Sequence, residues 1–171
     1  MRPLPPLTGI APKPRRLAPT TWGIAALLVT LLSAVAAHAD GWSSMKGRVV
    51  ISDVEFTSYA SDAQMVSAVK KQSKTTLKGE GSWTMNLMVF LKEPAGATSI
   101  NIVYYDVSVK PRDQVNFSEV QVQPSQKIVM VNGVAISKDL GFVKGHKYEV
   151  LATRVIGGKE KVYAKGVVTL K

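Results

Sequence analysis

The chain has 171 residues, no cysteine, 46% hydrophobic residues and 22 Lys and Arg against 12 Asp and Glu, which suits one globular domain and leaves little room for a second. Without cysteine there is no disulfide scaffold, thiolate zinc site, cysteine nucleophile or lipid anchor on sulfur. The apolar content is too high for a disordered tail.

The first 39 residues read as a secretion signal. Arg2, Lys13, Arg15 and Arg16 form a basic leader with no acid, and Trp22 to Ala37 carries no charge. Ala37-His38-Ala39 then supplies the small-x-small pattern that a signal peptidase accepts. The uncharged run falls short of the ~20 residues that a spanning helix needs, which argues against an uncleaved anchor. Pro14-Arg15-Arg16-Leu17 only partly matches a twin-arginine signal, so the general secretion route is expected. The mature domain is then 40–171, exported to the periplasm or beyond, with no membrane span left after cleavage. The leader takes four basic residues and no acidic one, leaving 18 basic against 12 acidic. A surplus of that size favours anionic envelope polymers or a protein partner, and is too sparse for nucleic acid.

After the leader, alternation with period two dominates. A first strand is expected at 47–56. Next, Ser61 and Gln64 form a capping box, and Met65, Val66 and Val69 share one face, which predicts a helix from Asp62 to about Lys74 and a flexible link over 75–82. Trp83, Met85, Leu87, Val89 and Leu91 then give one wholly apolar strand face. Further strands are expected at 99–109, 114–122, 127–136, 147–156 and 161–170, about seven in all. In the 114–122 strand Val115 and Phe117 fall out of phase with Val120 and Val122, which predicts a bulge near Ser118 or Glu119. Asn132-Gly133 reads equally as a hairpin turn or as a kink within one strand. The links are too short for crossover helices, so pairing is antiparallel.

Two stretches carry a resemblance. Phe90-Leu91-Lys92-Glu93-Pro94 followed by Ile100 to Tyr105 looks like two strands joined by a proline turn, and Phe142, Gly145 and Tyr148 ahead of Glu149-Val150-Leu151-Ala152 look like a tyrosine corner. Over about 82–171 the chain thus resembles the immunoglobulin-like and fibronectin type III β-sandwiches. The resemblance implies an all-β, antiparallel immunoglobulin-like sandwich of about seven strands with one short helix inserted between the first two. It departs from those domains in that helix and in lacking an inter-sheet cysteine pair, and it implies no activity.

Chemistry is sparsely provided for. His146 is the one histidine after the leader, no Gly-x-Ser-x-Gly elbow exists, and nothing is spaced as a metal or phosphate loop. No catalytic residue, cofactor or metal is therefore expected. Glu80, Glu93, Asp106, Asp113 and Glu119 read as solvated residues at turns and strand ends. Two features suggest binding. Lys70, Lys71, Lys74 and Lys78 would concentrate charge near one helix end, for an anionic surface. Tyr104, Tyr105 and Phe117 would offer an aromatic contact. The expected function is a non-enzymatic exported binding or structural module. The alternatives are a small secreted hydrolase or lyase with a carboxylate pair assembled in space, and an inhibitor or chaperone-like subunit that pairs by an edge strand.

Overall fold

The computed structural model describes residues 41–171; the signal-peptide reading of 1–39 lies outside them. A 3-10 turn at Ser43–Met45 leads into β1 (Arg48–Ser52), α1 (Asp62–Gln72) and a two-residue β2 (Thr76–Leu77). Then follow β3 (Ser82–Phe90), β4 (Ser99–Asp106), β5 (Asp113–Gln121), β6 (Ile128–Ser137), β7 (Lys147–Ile156) and β8 (Lys159–Leu170). Among the described residues no helix is long and apolar enough to cross a membrane.

The strands hydrogen-bond in one path, β5-β4-β7-β8-β1-β3-β6, with β2 against β8. A sandwich would divide them between two sheets; here β1 links the two groups, and the sheet curls until it is nearly barrel-shaped. Pairing is antiparallel throughout except at β8, where β2 and β1 run parallel, β1 through the single pair Arg48 and Lys165. Gly166 permits that approach, since a Cβ there would stand 2.3 Å from the Val49 carbonyl oxygen. Strand β8 can come so close to β1 only because it carries no side chain at this point.

The concave face encloses the main core. Met85, Leu87 and Val89 from β3 meet Ile100, Ile102 and Tyr104 from β4, Tyr148 and Val150 from β7, and Tyr163 and Val168 from β8. The predicted apolar face of β3 is this inner face. Its other face is not solvated: Met88 and Phe90 belong to a second core with Trp42, Val50, Phe56 and the helix residues Met65, Val66 and Val69. The helix therefore buries its apolar stripe on the outside of β1 and β3.

Local chemistry sets the element ends. Ser61 Oγ accepts from the Gln64 N–H at 3.3 Å, and Gln64 Oε1 accepts from the Ala60 N–H at 3.2 Å, a capping box shifted by one residue. The helix stops at Gln72, ahead of the expected Lys74, because Ser73 turns extended and the Lys74 N–H donates to the Ile51 carbonyl at 2.8 Å. The expected flexible link is pinned: Leu77 is buried beside β8, and the Gly79 N–H bonds the Lys171 carbonyl at 2.7 Å.

Two alternatives in the sequence are also decided. Strand β6 runs unbroken through Asn132 and Gly133, which sit opposite the irregularity between Met85 and Leu87. Gly133 has φ +71°, and its N–H donates to Asn86 Oδ1 at 2.8 Å, so the pair is a kink and not a turn. The β5 bulge falls at Val115, earlier than expected: Tyr104 faces Asn116 while Tyr105 faces Gln114. That shift turns Phe117 outward.

Candidate functional site

Lys70, in the last turn of α1, lines a cleft of about 250 Å³ with Met45, Arg48, Val49, Val50, Ser73 and Lys165. Helix, β1 and β8 thus each contribute one cation. Among the described residues no acidic side chain lines the cleft, and none of the three cations has an ion-pair partner. The helix carbonyl end beside Lys70 offers only a partial negative charge.

The other lysines do not join it. Lys74, beyond the helix end, pairs with Asp53 at 3.6 Å, both side chains about half exposed, a contact worth well under ~1 kcal/mol. Lys71 and Lys78 are exposed, Lys71 on the helix and Lys78 just past β2. The helix ends before Lys74, so the four lysines expected near one helix end are spread over the helix, the segment after it and the far side of β2. Arg48 and Lys165 were beyond sequence reasoning, because their pairing spans most of the domain and neither sits in a local motif.

The aromatic trio is likewise divided. Tyr104 is 2% exposed and cannot serve as a surface contact, because it faces the inner core, edge-on to Phe142 at 5.6 Å. Burial pushes its hydroxyl up to about 12, with Ser118 acting in the opposite sense from outside hydrogen-bond geometry. Tyr105 is half-buried beneath Arg112, whose guanidinium lies 4.2 Å from the ring and bonds Glu149 at 2.6 Å. Phe117 alone is open, at 60% exposure.

Tyr148 occupies the corner position. Its hydroxyl oxygen accepts from the Val143 N–H at 2.7 Å, and its ring lies 5.0 Å from Phe142. Burial raises the hydroxyl pKa; the Val143 bond opposes this and the nearby Asp106 adds to it.

Asp106 departs from the expected surface placement. It is 4% exposed, its Oδ2 stands 2.6 Å from His146 Nδ1, and its Oδ1 accepts from the Ser108 N–H at 2.8 Å. Ser108 Oγ in turn accepts from the Lys147 N–H at 2.8 Å. The carboxylate thus stitches the end of β4 to the start of β7, and His146 is partly buried with it. Asp113 is the register partner of Asp106 on β5, Glu80 pairs with Lys144 at 3.2 Å, and Glu93 pairs with Lys161. A cavity over Met65, Met88 and Met130 has Asp62 as the one carboxylate among its described lining, and the cationic cleft has none. Among the described residues no three His, Asp or Glu side chains are grouped to hold a metal.

No protein family matches this chain, and neither the curated proteins nor the solved structures contain a match.

Proposed function

We propose that the protein is an exported, non-enzymatic β module that binds anionic material of the cell envelope. The observation that carries this reading is the cleft lined by Arg48, Lys70 and Lys165, three cations without an ion-pair partner among the described residues. Like charges gathered around one concavity repel one another, and an external anion relieves that cost. Exposed Lys71 and Lys78 add to the attraction at longer range. Export rests on the leader, and the non-enzymatic part on His146 and Asp106 being engaged in joining two strand ends.

The immunoglobulin-like likeness belongs to the same proposal. Two features favour it: the strand path divides into β1-β3-β6 and β5-β4-β7-β8 at a bridge of one residue pair, and the Tyr148 hydroxyl bonds back to Val143.

Retention of the natively processed protein on immobilised alginate, an acidic polysaccharide, tests the binding. Retention at low salt, lost at high salt and reduced in a Lys70, Lys71, Lys74 and Lys78 to alanine variant, is the expected result. Equal elution from alginate and from an uncharged resin sinks the proposal. A hydrolase or lyase turnover that vanishes in a folded His146→Ala variant would replace it.

A further inference from the structure

The cleft does not stand alone on its surface. Strand register aligns Phe117 with Val103, Val103 with Leu151, Leu151 with Lys165, and Lys165 with Arg48, so one row crosses β5, β4, β7, β8 and β1. Residues opposite one another on adjacent strands project from the same face, and Val103 and Leu151 lie outside the inner core cluster. This row is therefore on the convex face. It begins at the β5 edge with the open Phe117, beside Val103 and Leu151, which are nearly buried. At the other end are the cations of the cleft, with apolar Met45, Val49 and Val50 among its lining. Strands stand ~4.8 Å apart, so about 14 Å separates Phe117 from Lys165 along the row.

We infer that this row is a docking surface for an anionic lipid, with the phosphoryl headgroup in the Arg48–Lys70–Lys165 cleft and the apolar part of the lipid toward Phe117. The inference rests on the binding reading above and narrows its ligand class. A purely polar polyanion would match the cations and leave the exposed Phe117 unused; an amphiphile matches both. Arg48 supplies a planar fork suited to two phosphoryl oxygens, while Lys70 and Lys165 act as point charges from the helix and β8. Ser73 adds a hydroxyl at the rim.

Co-sedimentation of the natively processed protein with vesicles tests this, using phosphatidylcholine alone and phosphatidylcholine doped with phosphatidylglycerol. Binding is expected to the doped vesicles only. The R48Q/K165Q variant should bind roughly 25-fold more weakly, on about 1 kcal/mol per basic residue at an anionic surface. Phe117→Ser, at an open position, should weaken binding at least fivefold with an unchanged melting temperature. Should R48Q/K165Q not fold, Lys70→Gln on the exposed helix surface replaces it, with about a fivefold loss expected. Equal binding to both vesicle types, or doped-vesicle binding untouched by these cleft variants, overturns the inference. So does full displacement by inorganic phosphate with Phe117→Ser behaving as wild type, which would assign the cleft to free phosphate. Failure on vesicles with alginate retention intact removes the lipid and leaves the broader reading, whereas failure on both removes both.

Discussion

Strands β3 and β5 are equal in length and opposite in circumstance. Strand β3 is covered twice, by the inner core through Met85, Leu87 and Val89 and by α1 and the N-terminal segment through Met88 and Phe90. Strand β5 ends the strand path, sends Val115 and Val120 inward, and leaves Phe117 exposed. An aromatic or sulfur side chain on the outer face is therefore core in one strand and surface in the other. What separates the two cases is the α1 layer, whose docking depends on distant parts of the chain.

The largest effect should come from the covered outer face. Met88→Ala opens a cavity beneath α1 and should cost about 2–5 kcal/mol in denaturant unfolding; a cost near zero would mean the helix layer contributes little. Next is the tyrosine on β4 where β5 pairs with it. Below pH 10 Tyr104 is neutral both folded and unfolded and contributes no pH dependence. Between pH 10 and about 12 the unfolded chain ionises first, so stability falls as pH rises, by about 2–3 kcal/mol in total. The Tyr104→Phe variant should lack that share of the alkaline loss, so the stability difference between the two proteins should change steadily from pH 10 to 12 and be flat below. A flat difference throughout would place the hydroxyl in contact with water. The smallest effect belongs to Phe117→Ala, expected within about 0.5 kcal/mol of wild type; a cost near that of Met88→Ala would erase the contrast between the strands.

The sequence shows what is local. Alternation from Trp83 to Leu91 marks the inner face of β3, Ser61 and Gln64 mark the helix start within one residue of the bond actually made, and Tyr148 stands where its hydroxyl bonds back to Val143. What escapes is whatever depends on register between distant strands. A bulge restores phase wherever it falls between Val115 and Val120, and only the pairing with β4 places it at Val115 and so turns Phe117 out. The helix stripe is visible, but nothing local shows that Met88 and Phe90, on the other face of β3, are what it covers. The cleft was visible only through Lys70, because Arg48 and Lys165 are brought together by a single cross-strand pair and by a glycine one residue later.

Asn132 sits mid-way along β6, the other end of the strand path. Its side-chain carbonyl accepts from the Phe56 N–H at 3.1 Å and its amide donates to the Phe56 carbonyl at 2.8 Å. A carboxamide is chemically a peptide group, so this one side chain pairs with the backbone of the segment after β1 much as a neighbouring strand would. An open sheet margin invites a second molecule to add a strand and begin a fibre. Here the mid-strand carboxamide is already satisfied by a peptide group of its own chain, so it is not free to join the ladder of stacked amides that steadies a fibre.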